Sequence, residues 1–312
     1  MRQIHCYKHD IRSEDINKVK KVLKSKPITQ GNEIIKFEKG LSNKIKIKYV
    51  SIVNSGTSAL DVACKSLGIK KNDLVLTTPI SFVATTNCAL YNNAKVKFID
   101  IDYNTGNLSP IKLETFLKNS KKKPKLVILS HHGGNICDME HFYKLKKKYN
   151  FFLIEDACHA LGGKYIKNKK VGSCHYSDIT TFSFHAVKNI TTGEGGAVCT
   201  KDIKIHKNNK KLLSHGIDRE NFKNKVIYIP KDLYYEQHIL GYNYRITDIQ
   251  ASLGISQLKR LESNISKREK IYNFYKNSLA KIPEITFLKE IKGTKSGRHL
   301  AIILIKKNLR NK

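Results

Sequence analysis

Short apolar runs, each the length of a strand, recur along the first half of the chain with helix-like stretches between them, and this alternation limits the possible folds more than any other feature. The runs are VSIVNSG (50–56), DLVLTTP (73–79), VKFIDI (96–101), KLVILS (125–130) and FFLIED (151–156). Between them lie TSALDVACKSLG (57–68), SFVATTNCALYN (81–92) and DMEHFYKLKKKYN (138–150), whose apolar residues have helical spacing. Continuous apolar strands separated by helices predict an α/β domain with a mostly parallel sheet and those strands buried. Ligands of such sheets sit at the carboxyl ends of the strands. Upstream, Ser13 followed by acidic residues predicts a helix over 13–25.

The pattern changes near residue 248. DIQASLGISQLKRLESNISKREKIYNFYKNSLAKI reads as one long amphipathic helix with room for one break, followed by strand candidates at 285–288 and 300–305. The expected organisation is a large domain over 1–245, including an N-terminal segment, and the start of a small C-terminal α+β domain over 246–312. The last strand candidate has nothing after it to pair with, and KKNLRNK leaves the pattern abruptly, so the small domain is expected to be truncated.

Composition narrows the classes of function. With 312 residues and 40% apolar content the chain can fill a sizeable core. No run approaches the roughly 20 apolar residues of a membrane span, and MRQIHCYKHDIRSED has no signal-peptide core, so a cytoplasmic protein without a membrane partner is expected. Seven scattered cysteines without a CxxC pair read as small apolar side chains in a reducing compartment, with no metal site. The net charge of +32 invites a nucleic-acid reading. Its lysines, however, are spread over the chain without interleaved aromatics or an Arg-rich arm, so no specific nucleic-acid partner is expected. Non-specific contact with polyanions and attraction of a phosphorylated substrate fit the charge better.

Four features fall where strands end or a helix begins. Asn54-Ser55-Gly56-Thr57-Ser58 forms a strand-to-helix turn, either a plain cap or a phosphate cradle. Glu155-Asp156-Ala157-Cys158-His159 places two carboxylates at the end of a buried strand, where each must find a cation or hydrogen-bond donors. TFSFHAVKNITTGEGGAVCT (181–200) sets Lys188 between an apolar stretch and a Gly-rich turn; elsewhere in so basic a chain a lysine is simply solvated. GYNYRITDIQASLG (241–254) places an Asn and an Arg before the long helix. A lysine that can form a Schiff base, an aspartate that can hold a pyridine nitrogen protonated and a helix N-terminus that can take a phosphate together match the needs of pyridoxal phosphate.

From about Tyr7 onward the chain also resembles the DegT/DnrJ/EryC1/StrS aminotransferases, which act on nucleotide-linked sugars. The resemblance is carried by LTTPISFVATTNCALYNNAKVKFIDID (76–102), EDACHALGGKYIKNKKVG (155–172), FSFHAVKNITTGEGGAV (182–198), LLSHGI (212–217) and GYNYRITDIQASLGISQLKRL (241–261). KPITQG (26–31), the TTPISFVAT string and His159, where many relatives carry Gln, bring it nearest to the pseudaminic acid branch.

The resemblance implies an aspartate aminotransferase-like, fold-type I architecture and pyridoxal 5'-phosphate as cofactor. Lys188 would bond to the cofactor and move the proton, Asp156 would pair with the pyridinium nitrogen, and His159 would face the phenolic oxygen. Phe82 would stack on the ring, its alternative being a plain core residue. Ser55, Gly56, Thr57 and Ser183 would bind the phosphate or lie beside the substrate. Asn243 would reach a partner's cofactor phosphate across a homodimer with shared active sites. Tyr7 and the stretch Lys26, Pro27, Ile28, Thr29 would line the sugar-nucleotide site, with Arg298 and His299 on a further substrate strand. The implied reaction moves an amino group from glutamate to the C4 ketone of a UDP-linked 4-keto-6-deoxy-N-acetylhexosamine; the rival readings are a catalytically impaired, truncated remnant and a related 4-amino-sugar transaminase of another nucleotide sugar. Lys188 stands where a dehydrating branch of the family carries His, which argues against that branch. HHGGNICD (131–138) departs from the family's aromatic-rich version of that loop.

Overall fold

A computed structural model describes residues 9–218 and 234–306. Tyr7 and Cys6 lie outside the described residues.

The elements follow in order: α1 (Ser13–Leu23), α2 (Asn32–Ile45), β1 (Tyr49–Val53), α3 (Gly56–Ser66), β2 (Leu74–Thr77), α4 (Ala84–Leu90), β3 (Lys95–Phe98), α5 (Pro110–Asn119), β4 (Leu126–Ser130), α6 (Met139–Tyr149), β5 (Phe152–Asp156), β6 (Ile179–Ser183), β7 (Gly196–Thr200) and α7 (Ile203–Leu212). A short pair, β8 (Ile217–Asp218) and β9 (Glu236–Gln237), precedes α8 (Asp248–Lys259), α9 (Leu261–Ser278), β10 (Ile285–Phe287) and β11 (Ile303–Ile305).

Seven strands form the central sheet in the order β1-β7-β6-β5-β4-β2-β3. The pairs β5–β6, β4–β5, β2–β4 and β2–β3 are parallel, while β7 runs against both β6 and β1. Alternate side chains of one strand enter opposite faces. In β4, Val127 and Leu129 join the apolar cluster of α2, α6 and α8, whereas Leu126 and Ile128 join that of α3 and α4. Both faces are covered, which explains why the strands read as unbroken apolar runs.

The expectation of buried strands fails at 96–101. The strand is β3, at the sheet edge with only β2 beside it, and Lys95, Lys97 and Phe98 are exposed. The long helix expected from 248 breaks at Arg260 into α8 and α9. There the Arg260 Nη2 donates to the buried Asp15 at 2.7 Å. α8 packs on α1 and α2, so residues just past the expected 245/246 boundary lie against the large domain's own N-terminal helices. The last strand candidate does have a partner: β11 pairs antiparallel with β10. Five of the six described cysteines are buried and all six are free, in line with their reading as small apolar residues.

Candidate active site

The carboxyl ends of β1, β2, β4, β5 and β6 converge on one cavity of about 830 Å³. Because β7 is reversed, its first residue, Gly196, reaches the same end and pairs with both Val53 and Ser183. A Cβ at Gly196 would lie 2.4 Å from the Ser55 carbonyl oxygen, so only glycine allows this approach.

Ser55 caps α3 by accepting the Ser58 N–H at 3.0 Å, and the Asn54 N–H donates to the Tyr244 carbonyl at 2.8 Å, bracing the turn. Gly56 and Thr57 are the first residues of α3, whose leading N–H groups have no acceptor within the helix and favour an anion. Both line the cavity, as do Ser55 and Ser183.

Asp156, the last residue of β5, points to the α3–α4 face and is buried. Thr85 Oγ1 donates to its Oδ2 at 2.6 Å and the Cys158 N–H to its Oδ1 at 3.2 Å. Lys188 sits in the loop between β6 and β7, half-buried, and shares the cavity. Burial lowers the pKa of its ammonium, against the upward pull of Cys158 and Asp156. Asn189 anchors this loop, its Nδ2 donating to the carbonyls of Leu161 at 2.9 Å and Gly297 at 2.7 Å.

His159 and His299 face each other with ring centroids 4.4 Å apart. Burial, then the nearby Lys188 charge, lowers both to about 3, so both rings are neutral near pH 7. Their Nδ1 atoms are buried without a hydrogen-bond partner among the described residues. Burial first, then Asp156, pushes the Cys158 thiol well up. Phe82 lines the cavity with 68% of its surface exposed, which rules out its reading as a plain core residue.

Other expected residues lie elsewhere. Arg298 does not line the cavity: its guanidinium stacks 3.9 Å from the Tyr272 ring centroid and pairs with Glu269 and Glu290. The two carboxylates hold it outside this cavity. The carbonyl of His299, the next residue, accepts from Arg268 Nη1 at 3.1 Å. Lys26, Pro27, Ile28 and Thr29 lie at the start of α8, where the Asp248 N–H donates to the Ile28 carbonyl and Thr29 bridges Thr247. They do not line the cavity, and neither does the exposed Asn243, whose carbonyl accepts from Asn54 Nδ2 at 3.4 Å. Sequence reasoning assigned no role to Thr85, which donates to Asp156, or to His132, His185 and Glu194, which line the cavity, although all four stand in quoted stretches: Thr85 in TTPISFVAT, His132 in HHGGNICD, His185 and Glu194 in FSFHAVKNITTGEGGAV.

The residues present fit pyridoxal phosphate. Asp156 is a carboxylate fixed by two donors, the start of α3 is an anion cradle, Lys188 has no carboxylate paired with its ammonium among the described residues, and two buried ring nitrogens lack partners.

The fold and cavity together define a fold-type I transferase dependent on pyridoxal phosphate. The chain belongs to the DegT/DnrJ/EryC1/StrS aminotransferase family, whose model matches residues 9–312. It is 43% identical over 301 residues to the UDP-4-amino-4,6-dideoxy-N-acetyl-beta-L-altrosamine transaminase of Campylobacter jejuni, covering 96% of this chain and 76% of that one. The solved structure of Helicobacter pylori PseC, an aminotransferase of pseudaminic acid biosynthesis, matches with a TM-score of 0.88 at 34% identity, over 98% of this chain and 79% of that one. A sugar aminotransferase of Streptococcus pneumoniae in its PLP form matches with a TM-score of 0.85 at 27% identity, over 97% and 78%.

Proposed function

We propose that the protein transfers the amino group of glutamate to the C4 ketone of a UDP-linked 4-keto-6-deoxy-N-acetylhexosamine, in pseudaminic acid-type surface sugar biosynthesis. Glutamate leaves as 2-oxoglutarate, and the sugar exchanges its ketone oxygen for an amino group. The observation that carries this reading is Lys188, half-buried with a lowered pKa and sharing one cavity with the doubly held Asp156. The C. jejuni relative supports the choice of sugar.

Pyridoxal phosphate, when bound, supplies an aldehyde that joins to amines and a ring that accepts the electron pair left behind when a carbon loses its proton. The chain's own residues do the rest. Lys188 Nζ would hold the cofactor and carry the proton to and from the reacting carbon, a task that a lowered amine pKa favours near neutral pH. Asp156 would present its carboxylate to the ring nitrogen, with Thr85 and the Cys158 N–H holding it oriented. A neutral His159 would face the ring's hydroxyl side, and Phe82 would stack on the ring. Ser55, Gly56, Thr57 and Ser183 take the phosphate.

His299 lies beside the sugar, while Tyr7 and Lys26 to Thr29 serve its nucleotide end. Asn243 serves the partner's cofactor phosphate in a homodimer, and its exposure on the surface of one chain supports that assignment. The work takes place in the cytoplasm; no described helix is long and apolar enough to cross a membrane.

The test is a two-step reaction followed by absorbance and mass. The protein with pyridoxal phosphate shows a visible band that borohydride fixes on Lys188 and that glutamate bleaches. Adding the UDP-linked keto sugar restores the band and yields the 4-amino sugar. Lys188→Ala abolishes both steps while the fold is retained. A wild-type band that glutamate leaves unchanged, or a fully active Lys188→Ala, refutes the proposal.

A further inference from the structure

A second cavity, of about 350 Å³, lies apart from the first and shares no lining residue with it. Lys44 from the end of α2, Lys164 and Lys170 from the loop after β5, and Lys295 from the segment before β11 converge on it. Glu262, at the start of α9, is the one carboxylate among its described lining residues, and its Oε1 lies 3.3 Å from Lys44 Nζ. Four ammonium groups against one carboxylate leave a surplus of three positive charges in one concavity.

Lys44, Lys164 and Lys170 are half-buried. Burial lowers the pKa of Lys170, and the ammonium groups of Lys164, Lys44 and Lys295 press it further down. Such crowding disfavours the charged form of Lys170 unless an anion offsets it. The backbone holds the lysines in place, with Lys164 and Lys295 exchanging two N–H···O bonds of 2.8 Å. Ile45, Leu261 and Ile265 give the cavity apolar walls.

We propose that this cavity is a binding site for a small compound carrying a diphosphate, separate from the cofactor cavity. Lysines act as point charges that suit phosphate oxygens, the surplus charge asks for a multiply charged anion, and the volume lies within the range of small-ligand sites. The proposal does not depend on which amino sugar the enzyme makes. A bound diphosphate braces the loop after β5 and the segment around Lys295, which lead back to His159 and on to His299.

The test titrates the enzyme loaded with pyridoxal phosphate with inorganic pyrophosphate in a calorimeter. Wild-type protein is expected to show one saturable site per chain that Lys164→Gln with Lys170→Gln weakens at least tenfold. Lys20→Gln with Lys21→Gln, which removes the same charge from exposed positions on α1, is expected to leave that site unchanged. Lys295→Glu, at an exposed position, reads the same site should the first pair fail to fold. Pyrophosphate held elsewhere on the molecule survives in the cavity variants. If all binding survives there, if the α1 pair loses as much, or if no saturable site exists in the wild type, the proposal is overturned.

Discussion

Glu155 and Asp156 are neighbours on β5, yet the two faces of the strand treat them in opposite ways. Glu155 points to the α6 side and is sealed in. It accepts from His131 Nε2 at 2.9 Å, Tyr165 Oη at 2.5 Å, Thr180 Oγ1 at 3.2 Å and the Ser177 hydroxyl. The Cys137 N–H donates to His131 Nδ1 at 3.2 Å, which leaves Nε2 as the protonated nitrogen facing Glu155. Burial pushes the Glu155 carboxyl up, but His131 and the hydroxyl donors outweigh it and hold the carboxyl below its usual range. Among the described residues Asp156 accepts from Thr85 and the Cys158 N–H, and it borders the cavity. A buried carboxylate whose oxygens are fully engaged is structural; one fixed by just enough donors to orient it, with a side left to a cavity, is available for chemistry.

Substitution on each face can break that contrast. Asp156→Asn is expected to lower turnover by about a thousandfold, within the range for a group acting at the reacting centre, with the denaturant midpoint nearly unchanged. Glu155→Gln is expected to do the reverse, costing about 3 kcal/mol of stability while folded molecules keep near-normal turnover. Denaturation curves and assays corrected for folded fraction compare the two, and equal losses in both properties would erase the distinction. Thr85→Val removes one of the two donors to Asp156 and is expected to cost about tenfold in turnover, the worth of one hydrogen bond to a charged group.

A further test is set by pH. His159 and His299 titrate at about 3 in the fold and near 6.5 when unfolded, so the unfolded chain takes up their protons first. Their contribution to stability is complete above about pH 6.5 and declines as pH falls from there toward 3, by at most about 1.4 kcal/mol per unit for each ring. His299→Asn should therefore show a shallower loss of stability between pH 6.5 and 5 than the wild type. Parallel slopes would mean that His299 is not held neutral.

Much of this architecture was legible because parallel strands covered on both faces leave an unbroken apolar signature. LVIL within KLVILS is β4 almost residue for residue. VKFIDI misled because a run of that length has the same composition whether it lies inside a sheet or at its edge, and pairing with β2 alone leaves β3 at the edge. Lys188, Asp156 and the Ser55–Thr57 turn were legible because strand ends are where such folds place polar groups. Thr85 was not, since its bond to Asp156 spans 71 residues and exists only once α4 packs on the sheet. The partners of Arg298 were not legible for a similar reason: Glu269, 29 residues earlier, and Glu290, eight residues earlier, pair with it, and neither lies in a motif.

The reversal of β7 has a mechanical consequence. A parallel neighbour would have required a long crossover, but an antiparallel one turns the segment bearing Lys188 into a short tether, residues 184–195, stapled at both ends by the Ser183–Gly196 pair. Twelve residues pinned to adjacent strands leave little slack, so the position of the amine is measured out from the sheet like a mark on a ruler. Lengthening the tether by one residue would offset Lys188 from Asp156 or force the register of two central strands to slip, whereas the same insertion in a surface crossover would be absorbed as a bulge in the loop.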